Sequence, residues 1–282
     1  MKPTTNVAIV IPVYKSKLDK FEIISLRQCL KILLKYDIKI VAPRGLDISI
    51  YILLSKEYNK QISFEWFSPD FFTSLNAYNK LMLSWSFYHR FKNYSFILIY
   101  QLDSFVFRDE LKYWCDQGHD YIGAPWFENF GDAKIDSEII GIGNGGFSLR
   151  KIKGFLHVWS HHACYTKRKL LENQYKGDYK NSKFYRKIYL HLYLILRSLG
   201  YKNNFDYWIS LYKGNEDLFW TQIVPQFCKK FKVAAIDKAI KFSFEKNPEI
   251  LYKKNENLLP FGCHAWNKYS TPFWTKIMKE LV

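Results

Sequence analysis

The stretch that decides the fold is Ser95–Phe107, SFILIYQLDSFVF. Phe96-Ile97-Leu98-Ile99-Tyr100 is a continuous apolar run with the length of a strand buried on both faces, as in a parallel sheet covered by helices. It runs straight into Gln101-Leu102-Asp103-Ser104 and returns at once to Phe105-Val106-Phe107. A carboxylate at the end of a buried strand has two explanations. Either it opens a turn, or the carboxyl edge of the sheet holds it out to a ligand, which is where open α/β sheets bind. A buried acid needs a partner, so the remaining sequence is read for what Asp103 faces.

Toward the N-terminus, strand and helix patterns alternate. Val7–Val13 reads as a first strand closed by Pro12, and Leu18–Tyr36 as a helix with Phe21, Ile24, Leu26, Leu30, Leu33 and Leu34 on its apolar stripe. Ile38–Ala42 and Ile62–Phe67 read as further strands, Asp47–Tyr58 as a second helix and Phe71–Phe91 as one long helix. This alternation predicts βαβ units and a mainly parallel sheet. No G-x-G-x-x-G follows the first strand and no G-x-x-x-x-G-K-[ST] occurs, which argues against a dehydrogenase-type dinucleotide fold and a P-loop. The turn after the first strand is Pro12-Val13-Tyr14-Lys15, whose backbone and ring suit a nucleotide base.

Beyond Asp103 come Tyr121–Trp126 (YIGAPW) and Gly141–Arg150 (GIGNGGFSLR). Glycines this dense allow close backbone approach. They make either a bulged hairpin or a shelf of free amides for a flat or phosphorylated ligand. Residues 163–204 are basic and enclose the apolar run Ile188–Leu199, which is too short to span a bilayer. That run is either a packed helix or one lying on an anionic membrane, and the whole stretch reads as an insertion or lid. Asn215 then suits an N-cap, with Glu216 and Asp217 in the first turn of a helix running to Val224. Lys232–Ala235 reads as a last short strand, and His264, among glycine and aromatics, is a candidate metal or phosphate ligand.

Length and composition fit a folded globule with a sizeable core: 282 residues, 48% apolar and 24% charged. A net charge of +16 with 19% aromatic residues suggests a polyanionic partner, whether nucleotide phosphates, nucleic acid or an anionic membrane. No nucleic-acid-binding signature accompanies the charge, so nucleic acid is disfavoured. The five cysteines show no metal or disulfide spacing and read as reduced, buried thiols of a cytosolic protein. The N-terminus carries neither a membrane-spanning run nor a signal-cleavage pattern.

In order, YQLDSFVF, DYIGAPW, GNGGFSLR, NEDLFW and PFGCHAW resemble the GT-A glycosyltransferases, with their DxD-type acid, glycine-rich loop, xED motif and C-terminal histidine. They resemble more closely a bacterial and fungal family assigned to the glycosyltransferases and known mainly as a domain of unknown function, over about Val7 to Trp274. The resemblance implies an α/β, GT-A-like, Rossmann-type fold: a mixed, mainly parallel sheet flanked by helices, with a basic helical insertion. It implies one catalytic domain over 1–282, with 6–107 as the nucleotide-binding half and 108–282 as the acceptor-side half. The implied reaction moves a sugar from a nucleotide-diphosphate donor to a hydroxyl, with inversion, in bacterial surface-glycan synthesis. Donor binding then falls to Pro12, Val13, Tyr14, Lys15, Asp103, Ser104, Asn144, Gly145 and Gly146. Asp217 is the general base, and Glu216 binds acceptor or sugar hydroxyls.

The resemblance also implies Mn²⁺ or Mg²⁺ on Asp103 and His264. Here the sequence departs from the pattern, because the third position of DxD is Phe105. Without the second acid, Asp103 could instead hold ribose or sugar hydroxyls while Lys15 or Arg150 neutralises phosphates. A helix N-terminus should also depress the pKa of Asp217 and weaken it as a base. Trp126, Trp208 and Trp266 are candidates for stacking on sugars. The expected acceptor is a glycan or lipid-linked molecule, with 163–204 against an anionic surface at the inner face of the membrane. The competing enzymes are a nucleotidyltransferase, which wants two carboxylates for a metal pair, and a nucleotide-sugar hydrolase.

Overall fold

A computed structural model describes residues 6–128, 134, 136–161, 176, 177, 180 and 182–281. Its centre is a six-stranded sheet in the order β3-β2-β1-β4-β9-β6. The strands are β1 (Val7–Pro12), β2 (Asp37–Pro43), β3 (Ser63–Phe67), β4 (Phe96–Tyr100), β6 (Tyr121–Ile122) and β9 (Phe147–Lys151). The pairs β1–β2, β2–β3 and β1–β4 are parallel, while β9 runs antiparallel to both β4 and β6. The sheet is therefore mixed and mainly parallel, as expected, with helices flanking it. All five residues of β4 are buried, and each large apolar side chain so removed from water contributes roughly 1.5–3 kcal/mol.

The strand order sets the site. From β1 the chain proceeds outward through β2 and β3, then crosses back to place β4 on the other side of β1. The order reverses between β1 and β4, and the crevice outside their carboxyl ends is where such sheets bind ligands. The segments leaving those ends are Val13–Lys15 and Gln101–Asp103. Helix α1 (Lys20–Ile32) closes one wall. Its N-terminus is a capping box, with Asp19 accepting from the Phe21 and Glu22 amides and Glu22 returning to the Asp19 amide.

Three local expectations need correction. The long helix over Phe71–Phe91 is broken into a 3-10 turn (Pro69–Phe72), α3 (Leu75–Leu83) and α4 (Trp85–Arg90). Ser74 and Ser84 cause the breaks, because their hydroxyls accept from the amides of Ala77 and Phe87 and start each helix afresh. The Met82 carbonyl next to the second break is satisfied by Tyr88 Oη and Trp220 Nε1. Lys232–Ala235 makes only an isolated bridge, Val233 to Tyr121, rather than a strand. The glycine-rich stretch is no hairpin, since β8 (Ile139–Ile142) pairs with β7 (Pro125–Phe127) and β9 joins the central sheet.

A second, three-stranded sheet is built from distant pieces: β5 (Phe105–Val106), β10 (Ser243–Phe244) and β11 (Gly262–Cys263). Phe105, Phe244, Cys263, Trp266 and Trp274 pack there into a second core. Phe105 is fully buried among Phe107 and Trp266. An acid at that position would be unpaired in hydrocarbon, which explains why the DxD pattern ends in Phe. The basic stretch 163–204 lies partly outside the described residues, Lys167, Arg168 and Lys169 among them. Its described part includes one helix, α7 (Phe184–Ser198), counting α5 as Leu111–Asp116 and α6 as Ile152–His161.

Candidate active site

A cavity of about 500 Å³ opens at the reversal point. Pro12, Val13, Tyr14 and Lys15 line one side, Gln101 and Asp103 the sheet edge, and Tyr51, Tyr78 and Lys268 the remainder. Tyr14 is mostly exposed at its edge. Lys15 pairs with Glu22 at 2.8 Å, and its carbonyl accepts from Tyr51 Oη. Pro12, the last residue of β1, and the three residues after it thus share one wall of the cavity.

Asp103 leaves β4 into a charged chain of side chains. One oxygen meets His264 Nε2 at 3.1 Å and the other meets Lys268 Nζ at 2.6 Å. On its far side, His264 Nδ1 contacts Glu245 at 3.0 Å, and Gln101 Oε1 lies 3.2 Å from Nε2. The small sheet assembles this group. Glu245 follows β10, His264 follows β11, and the parallel pair Phe244–Cys263 sets them side by side, with the His264 amide donating to the Phe244 carbonyl. Burial alone would raise the Asp103 carboxyl, but His264 and Lys268 outweigh it and hold the group well below the usual carboxylate range. Burial alone would lower His264. The charge and hydrogen bond of Asp103, joined by Glu245, outweigh it and raise the imidazole to about 10.

The 143–147 turn fits against this cluster. Asn144 takes a positive φ of 71°, tolerable for Asn, and its Oδ1 accepts from the amides of Gly146 and Phe147. The Gly146 carbonyl accepts from the Gln101 amide and the Ser104 hydroxyl, which ties the turn to the end of β4. A Cβ on Gly146 would overlap His264 Nε2. Gly146→Ala should therefore push the imidazole off Asp103 and cost about 1–3 kcal/mol, read as a lower urea midpoint. An unchanged midpoint would mean that His264 can move aside freely.

The acid pair divides its roles differently from expectation. Glu216 is buried and bidentate to Arg150, at 2.6 and 2.9 Å, with both side chains nearly inaccessible. Arg150 also donates to Tyr88 Oη and Ser148 Oγ. It is fully buried in the core, so its expected role in neutralising phosphates is withdrawn. Asp217 Oδ2 accepts from the Asn144 and Gly145 amides, and Oδ1 from the Leu218 amide. These turn amides are thus not free, contrary to the expected shelf. Burial, and next the charge of Glu216, push the Asp217 carboxyl up to about 7, against the expected depression by the helix end. A π-type turn over Phe219–Ile223 follows at once. Asn215 occupies the cap position without a capping hydrogen bond; its Oδ1 lies 3.5 Å from Asn79 Nδ2.

Of the expected site residues, Pro12, Val13, Tyr14, Lys15 and Asp103 line the cavity, and His264 stands directly behind Asp103. Ser104 is fully buried, and Asn144, Gly145, Gly146, Glu216 and Asp217 lie outside the cavity lining. Trp126 and Trp266 are buried, with Trp266 edge-on to Phe21. Sequence reasoning missed Glu245, Gln101 and Lys268. Only the sheet pairing reveals Glu245, whereas Lys268, four residues after His264, could have been noticed by proximity.

Among the described residues, no group of three or more His, Cys, Asp or Glu side chains forms a metal cage. A smaller donor set does exist. Asp103 Oδ1 and His264 Nε2 stand side by side, with a carboxylate orienting the far imidazole nitrogen, the support that metal-binding histidines commonly have. With Nε2 on Asp103 and Nδ1 on Glu245 the imidazole is held protonated, so it could ligate a divalent ion only by giving up its Nε2 proton and its bond to Asp103.

The proteins described as "Protein of unknown function (DUF5672)" match residues 61–264, more than half of the chain. No curated protein matches it. Among solved structures, mouse xyloside xylosyltransferase 1 in its apo form is similar over 92% of this chain and 97% of that one, at 10% identity and a TM-score of 0.51. The glycosyltransferase GlyE of Streptococcus pneumoniae TIGR4 is similar over 97% and 60%, at 12% identity and a TM-score of 0.45. The GT-A-like fold follows from the first of these together with the sheet order.

Proposed function

We propose that this chain, which belongs to the DUF5672 family, transfers a sugar from a nucleotide-diphosphate donor to a hydroxyl acceptor, with inversion. The observation that carries the reading is Asp103 at the carboxyl edge of β4, paired with Lys268 and lining a cavity at the reversal point of the sheet. Tyr14 offers an exposed ring to the base. The chemical difficulty is the negative charge that develops on the departing diphosphate. The local cluster is neutral as it stands: Lys268 and His264 carry positive charge, Asp103 and Glu245 negative. An incoming diphosphate therefore needs a cation. Lys268, half-exposed on its stem, can swing from Asp103 to the phosphates.

A divalent ion, Mn²⁺ or Mg²⁺, would supply further charge stabilisation to the leaving group if Asp103 held it, with His264 as a second ligand only once its Nε2 proton is lost. Asp217, buried beyond the cavity lining with its carboxyl raised to about 7, is the base this reading assigns to the acceptor proton. Among the described residues Asn144 Nδ2 is a buried donor with no hydrogen-bond partner. The acceptor in this reading is a glycan or lipid-linked hydroxyl of a bacterial surface polymer.

A thermal-shift panel of nucleoside diphosphates and nucleotide sugars, with and without Mn²⁺ or Mg²⁺, tests the donor site. A ligand at about 100 times its Kd should raise Tm by roughly 5–10 °C. Asp103→Ala should remove that shift. If no nucleotide shifts the parent protein under any metal condition, the transferase reading fails.

A further inference from the structure

Helix α7 turns the wrong face outward. Only Leu190 and Leu194 among its side chains are buried. With 3.6 residues per turn, Phe184, Ile188, Leu192, Tyr185, Leu196 and Tyr189 fall within one arc of about 140°. All six are exposed, Phe184 at 79%, Tyr189 at 64% and Leu192 at 55%. Leu199, one residue past the helix, continues the arc at 75%. No charged residue lies inside it. Arg186 falls on one flank of the arc, Lys187 and His191 on the other, and Lys183 occupies the N-cap. Scattered apolar side chains on a surface are ordinary, but a contiguous charge-free face on one helix marks an interaction site.

The occupant can be argued from charge and length. A second copy of the chain would bring one +16 molecule against another, basic flank to basic flank. A helix of 15 residues is about 22 Å long, too short to cross the hydrocarbon of a bilayer. No helix among the described residues is long and apolar enough to span one. A helix with one apolar, tyrosine-bearing face and cationic margins has the properties of one that lies in the plane of an anionic interface. Tyrosine favours such a boundary because its ring is apolar and its hydroxyl wet. We propose that α7 docks this protein on an anionic lipid bilayer, with the Ile188–Leu192–Leu196 face in the headgroup boundary and Lys183 and Arg186 against lipid phosphates. The proposal does not depend on the transferase reading.

The test is co-sedimentation of the full chain with phosphatidylcholine vesicles, with and without phosphatidylglycerol, alongside size-exclusion chromatography. The parent should pellet with the anionic vesicles and stay in solution with the neutral ones. Arg186→Gln should weaken partitioning about fivefold. Ile188→Asp and Leu192→Asp should each weaken it at least about tenfold, with Tm unchanged because both sites are exposed. Anionic-vesicle binding that survives both Asp variants overturns the proposal. So does a parent that pellets with neither lipid, or a parent dimer that the Asp variants dissociate.

Discussion

Asp217→Asn should lower kcat by about 10²–10⁴-fold with the protein still folded. The amide oxygen of Asn can keep accepting from the Asn144 and Gly145 amides, so the turn retains its anchor while the base and the bond from the Leu218 amide are lost. With a carboxyl raised to about 7 by burial and by Glu216, the parent rate should climb as pH rises through neutrality, and the variant should lose that limb. Stability offers a readout that needs no substrate. The folded carboxyl holds its proton up to about 7, whereas in the unfolded chain it releases it near the ordinary value of 3.8. Between those values the native state binds more protons, so this group makes the parent progressively less stable as pH rises from about 4 to about 7. The full effect, on the order of a few kcal/mol, persists above that window. The Tm of Asp217→Asn relative to the parent should therefore rise across the same window. A flat difference would remove the elevated carboxyl, and a variant with near-parent kcat would remove Asp217 as the base.

Arg150→Met should destabilise the fold by about 3–5 kcal/mol, because it strands a buried carboxylate. Arg150 is the pivot of the core beneath the site. It binds Glu216 with two bonds, reaches Tyr88 and Ser148, and lies 5.2 Å from the Tyr121 ring centre. The loss should appear as a Tm lower by roughly 10 °C or more. Pairing Arg150→Met with Glu216→Met should recover part of it, since two apolar groups leave no uncompensated charge. A double variant no better than Arg150→Met would show that the ion pair is not the source of the loss. The same geometry takes Glu216 out of substrate binding: both its oxygens are engaged by the guanidinium.

How far the sequence could be read is clearest at the two ends of the site. Val7–Pro12 and Phe96–Tyr100 are strands in the structure almost as their apolar runs indicate, because continuous burial on both faces leaves a local signature. The acid after β4 and the turn after β1 line one cavity for the same reason, since strand alternation alone implies a parallel sheet with its ligand edge at those ends. The helix break at Ser84 was not legible. A serine inside an apolar helical pattern is equally compatible with a back-bonded helix interior, and only Phe87, drawn into the core, decides that its hydroxyl caps a new helix.

The sequence by itself determined the α/β class, the carboxylate at the sheet edge, the basic character of 163–204 and the presence of an acid pair at a helix start. Each is a local pattern or a sum over composition. Tertiary structure alone decided the electrostatics. Glu216 is locked because Arg150, 66 residues earlier, stands on β9 behind it, and Asp217 rises because it is buried beside that carboxylate. His264 is doubly ion-paired because β10 and β11 bring Glu245 beside it. The exposed apolar arc of α7 likewise follows from which face the rest of the chain covers, since helical periodicity cannot tell an inner face from an outer one. A pKa, a partner and a covered face are set by distance in space, and distance in space between residues far apart in the chain is what folding alone supplies.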